Sequence, residues 1–108
     1  MKIIESPEAF ESIIANNTFV LIYFSGSNCA VCHSVKPKLE KISFDGLPDL
    51  VSVEVSVDRF PEIAARYRVF TIPVVLFFVD GREYIREARY IDVLELKGEV
   101  DKISRLYS

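Results

Sequence analysis

The spacing of apolar residues along the chain predicts eight elements of secondary structure. In four segments the apolar residues recur every three or four positions, which is the period of a helix with one buried face. These segments are residues 7–16, 30–43, 60–67 and 93–107. Four other segments are continuously apolar or alternate apolar with polar residues, as strands do. They are residues 18–25, 50–57, 74–79 and 82–90.

Strands that alternate with helices form parallel sheets joined by right-handed crossovers, with helices on both faces. Asp80 and Gly81 stand between the last two strands and are a strong hairpin signal, so this pair is expected to be antiparallel. We therefore predict the α/β class, with a single domain over residues 1–108. Its central mixed β-sheet is expected to lie between two layers of helices, in a three-layer αβα arrangement.

Some side chains can be assigned to a place in this architecture. Pro37 lies inside the second helix, where a kink is expected because proline lacks an amide donor. Residues 45–49 have the composition of a turn. The last helix carries an apolar stripe that we expect to pack in the core. Its members are Leu94, Val100, Ile103 and Leu106.

Length and composition restrict the class of protein. A chain of 108 residues, 50% hydrophobic and 27% charged, has the profile of one folded domain and not of a disordered segment. Thirteen Lys and Arg against 16 Asp and Glu give a net charge of −3, so we expect neither nucleic acid nor a membrane as a partner. The N-terminal residues lack a signal-peptide pattern. We expect a cytoplasmic monomer.

The two cysteines, Cys29 and Cys32, are the strongest chemical signal in the chain. A disulfide between them closes a loop too short to restrain the unfolded chain much, so a purely structural role suits them poorly. They lie where a buried strand ends and a helix begins. The free amides and the positive dipole end of a helix start favour a thiolate at Cys29 and lower its pKa. A neighbouring Cys32 can then resolve a mixed disulfide.

Three other roles of the pair stay open at this point. A zinc site needs four ligands, and with His33 as the only histidine a carboxylate or a second subunit would have to complete it. The run Cys-Ala-Val-Cys-His over residues 29–33 matches the c-type haem attachment pattern, but Met1 is the only methionine and a second axial ligand is lacking. Both thiols could also be inert core residues, although the loop 25–28 is polar.

The order of strand, Cys-x-x-Cys, helix with internal proline, Ile-Pro before the next strand and Asp-Gly hairpin resembles thioredoxin over essentially the whole chain. The resemblance implies the thioredoxin fold, with Cys29 as the nucleophile and Cys32 as the resolving cysteine. It also implies a cis peptide bond between Ile72 and Pro73, facing the disulfide. Such a bond would leave the backbone of Ile72 free to pair with an extended substrate segment.

The chain departs from the family's Trp-Cys-Gly-Pro-Cys motif. Asn28 stands in place of the tryptophan, Ala-Val separates the cysteines, and the chain has no Trp. We expect Asn28, Ile72 and Pro73 to contact the substrate, without the apolar platform that a Trp supplies. Arg89 stands where the family usually has glycine, either as a solvated side chain or as a bias of the groove towards acidic substrates.

A second departure concerns the groups behind the resolving cysteine. Thioredoxin buries an aspartate there and places a lysine on the neighbouring strand, and by position these are Tyr23 and Glu54. We hypothesise that Glu54, hydrogen-bonded by the Tyr23 hydroxyl, takes the proton from Cys32 as Cys32 attacks the mixed disulfide. The alternative is an outward-facing Glu54 near the end of its strand.

The resemblance implies a thiol-disulfide oxidoreductase that exchanges the Cys29/Cys32 dithiol and disulfide with protein substrates in cell redox homeostasis. We expect no metal or prosthetic group, because the cysteines themselves carry the electrons. The resemblance suggests a thioredoxin-reductase-type protein as electron donor. The alternative is a binding or redox-sensing adaptor module of the same fold, with little general turnover.

Overall fold

The structure is a computed structural model that describes residues 1–44 and 46–107. All eight predicted elements are present, and Asp45, the first residue of the predicted turn, lies outside the described residues. A short first strand was not predicted, because two residues are too few to show a period. In chain order the elements are β1 (Lys2–Ile3), α1 (Pro7–Asn16), β2 (Phe19–Ser25), α2 (Ala30–Lys41), β3 (Val51–Ser56), α3 (Pro61–Arg66), β4 (Val74–Val79), β5 (Arg82–Ala88) and α4 (Val93–Tyr107).

The five strands form one mixed sheet in the order β1-β3-β2-β4-β5. β1, β3 and β2 are parallel, whereas β4 is antiparallel to both β2 and β5. The predicted hairpin joins β4 to β5, and Asp80 and Gly81 both have positive φ angles, as tight hairpin turns require. Since β2 is the central strand, the loop that follows Ser25 leaves the sheet between the ends of β3 and β4.

Apolar side chains cover both faces of the sheet and form two cores. One core holds Phe10 and Ile14 of α1 with Ile63 of α3, and the other holds Val35 of α2 with Leu96 of α4. The alternation along β3 decides which side chains enter which core. Val53 and Val55 are fully buried on the α1/α3 face, so Glu54 between them faces α2.

Two expectations concern the helices. Pro37 lies inside α2, which continues through it to Lys41, and the kink expected there stays a prediction. The core stripe predicted for α4 is wrong at Leu94 and Leu106, which are 79% and 78% exposed. Val100 is buried as predicted, but the buried face begins at Val93 and repeats from there with the helical period. Its members are Val93, Leu96, Val100 and Ser104.

Candidate active site

Cys29 and Cys32 form a disulfide at the start of α2, with their Cα atoms 5.2 Å apart. Cys29 is the residue that caps the helix, and its Sγ accepts a hydrogen bond of 3.1 Å from the amide of Cys32. The two sulfur-bearing side chains differ in accessibility, because Cys32 is only 2% exposed whereas Cys29 is half-buried. A second molecule therefore meets Cys29 first.

The loop before β4 lies against the loop that carries the cysteines. The peptide bond between Ile72 and Pro73 is cis, as the resemblance implies. Gly26 contacts the Ile72 side chain: a Cβ at position 26 would lie 2.7 Å from Cδ1 of Ile72, so that side chain would have to shift. Ile72 precedes the ladder of β4, which begins at Val74, and its backbone makes no loop hydrogen bond within the described chain.

Glu54 faces a pocket of about 240 Å³ that Cys32 also lines. Its side chain is 15% exposed, so the alternative of an outward-facing glutamate is wrong. The Ser25 hydroxyl donates to Oε2 at 2.8 Å, and the Lys36 ammonium lies 2.8 Å from Oε1. The hydrogen bond to Glu54 raises the pKa of Lys36 above its ordinary value. The carboxylate is thus held in place by one hydroxyl and one cation behind the resolving cysteine.

The predicted hydrogen bond from Tyr23 to Glu54 is wrong. The Tyr23 hydroxyl donates instead to the backbone carbonyl of Cys32, at 2.6 Å. Tyr23 and Glu54 are register partners on the neighbouring parallel strands β2 and β3, and their side chains share a face of the sheet. The Tyr23 ring, however, fills the core beneath α2, which brings its hydroxyl to the first turn of that helix. Burial, and secondly the charge of Glu54, raise the pKa of Tyr23 to about 12.

Asp58 is a site residue that sequence reasoning missed. Its Oδ2 accepts hydrogen bonds from the amide and the hydroxyl of Ser27, at 2.7 and 3.0 Å. These bonds lower the pKa of Asp58, the backbone bond most of all. The carboxylate therefore holds the active-site loop from the end of β3. The sequence does hold a signal for it, because Asp58 directly follows the predicted strand 50–57, which is parallel to β2 and ends on the same side of the sheet.

Residues 1–44 and 46–107 contain no group of three or more His, Cys, Asp or Glu side chains arranged to hold a metal ion. None of the helices in this part of the chain is long and apolar enough to cross a membrane.

The sheet order, the disulfide at a helix start after the central strand and the cis-proline loop beside it define a thioredoxin-fold protein with a redox-type cysteine pair. The family model described as Thioredoxin matches residues 2–102. The chain belongs to the thioredoxin family.

Similar proteins cover nearly the whole chain. Thioredoxin-like protein YdfQ of Bacillus subtilis is 38% identical over 99 residues, which are 92% of this chain and 88% of that protein. Thioredoxin of Mycoplasmoides gallisepticum is 31% identical over 97 residues, 90% of this chain and 96% of its own length. Among solved structures, Malassezia sympodialis thioredoxin superposes with a TM-score of 0.85 at 23% identity, covering 96% of this chain and 90% of its own. This last similarity shows the fold alone.

Proposed function

We propose that the chain is a thiol-disulfide oxidoreductase that exchanges the Cys29/Cys32 dithiol and disulfide with protein substrates. Family membership and the disulfide support a thiol-disulfide redox role in general. The observation that carries the assignment of roles is the unequal accessibility of the two side chains. Cys29 is half-buried at the helix start, and Cys32 is 2% exposed behind it. An accessible sulfur suits attack on another molecule, and an enclosed one suits attack on its neighbour.

The reaction starts from the reduced pair. The Cys29 thiolate attacks one sulfur of a substrate disulfide, forms a mixed disulfide and expels the first substrate thiolate. Glu54 then takes the proton of the Cys32 thiol as Cys32 attacks Sγ of Cys29, which expels the second substrate thiolate. The substrate gains two electrons and leaves as two thiolates, which take up one proton from Glu54 and one from solvent, and the pair is left as a disulfide. Lys36 and Ser25 hold Glu54 in the pocket where this proton is released.

Substrate contact is proposed for the residues that surround the accessible cysteine. Asn28 is exposed immediately before Cys29, and the Ile72 side chain lies against Gly26, with Pro73 buried next to it in the chain. The backbone of Ile72 lies outside the β4 ladder, so an extended segment can pair with it as an added strand.

Return to the reduced state needs an electron donor, for which we propose a thioredoxin-reductase-type protein. A relative from Mycobacterium leprae supports this, because its name is bifunctional thioredoxin reductase/thioredoxin. It is 32% identical over 73 residues, 68% of this chain and 16% of that protein. The setting proposed with this role is cytoplasmic redox homeostasis, with the chain acting as one domain and as a monomer. A reducing compartment would keep the pair cycling.

The test is reduction of insulin disulfides by dithiothreitol, catalysed by the wild-type protein or by Cys29→Ser. We expect turnover by the wild type and by the control Ser34→Ala, which changes an exposed residue of α2 outside the pair, and none above background by Cys29→Ser. Turnover that survives in Cys29→Ser would overturn the proposal. No turnover by the wild type would overturn it in favour of an adaptor module.

A further inference from the structure

Arg89 has a backbone conformation that an arginine disfavours. Its φ angle is +66°, in the left-handed region where a Cβ crowds the following carbonyl and glycine has no such cost. The amide of Arg89 donates to the carbonyl of Pro73 at 2.8 Å, so the residue is tied to the cis-proline loop. A disfavoured conformation in a residue bonded to the cis-proline loop leads us to ask what its side chain does there.

The guanidinium of Arg89 is available to another molecule. It is exposed, and it has no ion pair or hydrogen bond among residues 1–44 and 46–107. The acids nearest to Arg89 in the chain are engaged elsewhere. Asp92 caps the first turn of α4, where its Oδ1 accepts from the amide of Glu95. Glu87 lies among the acidic side chains of α4. The positive charge next to Pro73 is thus uncompensated by a direct partner.

Exposed apolar side chains lie in the segments that carry the cysteines, the cis-proline and Arg89. Phe70 and Tyr90 are 83% and 86% exposed, and Val31, between the cysteines, is 51% exposed. Phe70 also lines a small pocket with Ile72, in the loop before β4. We call Val31, Phe70, Arg89 and Tyr90 the active-site rim. A rim that combines apolar surface with one unpaired cation complements a segment that carries apolar and anionic groups.

We propose that Arg89 is a specificity-determining residue, which binds a carboxylate side chain of an extended substrate segment close to the cysteine that Cys29 attacks. The substrate class is therefore a protein disulfide whose cysteine is flanked by an acidic and an apolar residue. This inference rests on the proposed oxidoreductase function and adds to it the chemistry of the substrate. In the disfavoured conformation of Arg89, a glycine would hold the same backbone but bind no carboxylate.

The test uses a set of peptide disulfides that differ only in one residue. Each peptide has either Glu or Gln at one position within two residues of the attacked cysteine, and kcat/KM is measured for every pair. We expect Glu to be preferred over Gln at one or more positions by roughly threefold at low ionic strength. The preference should fall at high salt, because exposed charges are screened. It should also be lost in Arg89→Gln and in Arg89→Gly.

Arg82→Gln is the matched control, because Arg82 is an exposed arginine at the opposite end of β5. It removes the same charge and should keep the preference for Glu. The inference is overturned if no position shows a preference, or if Arg89→Gln keeps the preference of the wild type. If the wild type turns over no peptide, the proposed function fails, and the inference that rests on it fails with it.

The stability of Arg89→Gly distinguishes a binding role of the arginine from a merely structural one. We expect this variant to be at least as stable as the wild type in urea, because glycine adopts a positive φ without the crowding of a Cβ. Loss of the Glu preference without loss of stability would support a binding role. A clear loss of stability in Arg89→Gly would show that the arginine serves the fold, and would overturn the inference.

Discussion

At the scale of single residues, we propose that Tyr23 and Glu54 have separate roles when Cys32 loses its proton. Tyr23 keeps its proton, because burial and the nearby charge of Glu54 raise its pKa to about 12, and it uses that proton to bind the Cys32 carbonyl. Glu54 is the carboxylate among the residues that line the pocket beside Cys32. We therefore propose separate roles for the two residues: the Tyr23 hydroxyl holds the first turn of α2, and Glu54 accepts the proton of Cys32.

Glu54→Gln should slow the resolving step. The amide cannot take the proton of Cys32, so the rate of single-turnover reduction near pH 7 is expected to fall on the order of 10- to 100-fold. The rate should recover towards pH 9, where the solvent itself removes the proton. The measurement is the pH dependence of that rate from pH 6 to 9, after the mixed disulfide has formed.

Glu40→Gln is the control for Glu54→Gln. Glu40 is an exposed acid of α2 that also raises the pKa of Lys36, so its replacement removes a charge near the same lysine without touching the pocket. It should keep the wild-type profile. A Glu54→Gln rate that matches the wild type at every pH would contradict the assigned role.

Tyr23→Phe should affect stability more than chemistry. It removes a buried hydrogen bond to Cys32, which is expected to lower the free energy of unfolding by about 1 kcal/mol, measured in urea. The pH profile of the resolving step should keep its shape, because the hydroxyl does not titrate in that range. A profile displaced in the same way as that of Glu54→Gln would show that Tyr23 takes part in the proton transfer after all.

At the scale of elements, the contact between β5 and α4 has a built-in pH dependence. The pKa of Glu87 is raised from 4.5 to about 7, mainly because the carboxyl group is buried. A hydrogen bond with Glu99 and the negative charges of Glu99, Glu95 and Asp92 raise it further. The folded state therefore binds this proton more tightly than the unfolded chain does. The resulting stabilisation is complete below about pH 4.5 and is lost as the pH rises through about 7.

Glu87→Gln should remove that loss, since the amide stays neutral. We expect the variant to exceed the wild type by about 1 kcal/mol in free energy of unfolding at pH 8, and to show a smaller fall between pH 5 and pH 8. Urea unfolding at the two pH values measures both. Glu62→Gln, which replaces an exposed glutamate in the first turn of α3, should leave the fall unchanged. Equal pH dependence in Glu87→Gln and the wild type would contradict this account.

The elements that the sequence predicted well are those in which one pattern dominates. β4, a continuous apolar run ended by Asp80-Gly81, has the predicted bounds, 74–79. β1 pairs with β3 through only two residues, too few for any pattern to appear. The face of α4 was misassigned because Val93 and Leu94 are both apolar and adjacent. Only the packing of the helix on the sheet decides which of them is buried.

At the scale of the whole molecule, the sequence predicted those parts of the site that depend on residues close together in the chain. It did not predict the parts that depend on how neighbouring strands are aligned. Cys29 and Cys32 at a helix start follow from their place after β2. The bond from Ser27 to Asp58 joins residues 31 positions apart, and needs the parallel alignment of β2 and β3 to be known. The partner of the Tyr23 hydroxyl was missed because it is a backbone carbonyl, which no residue type reveals.

The central claim is that Cys29 attacks the substrate and Cys32 resolves the mixed disulfide. Its most direct test is to mix a disulfide substrate with reduced Cys32→Ser or reduced Cys29→Ser, and to measure covalent adducts by mass spectrometry without reductant. We predict that Cys32→Ser accumulates a mixed disulfide through Cys29, and that Cys29→Ser accumulates little because Cys32 is enclosed. Adducts formed equally by both variants, or by neither, would contradict the account.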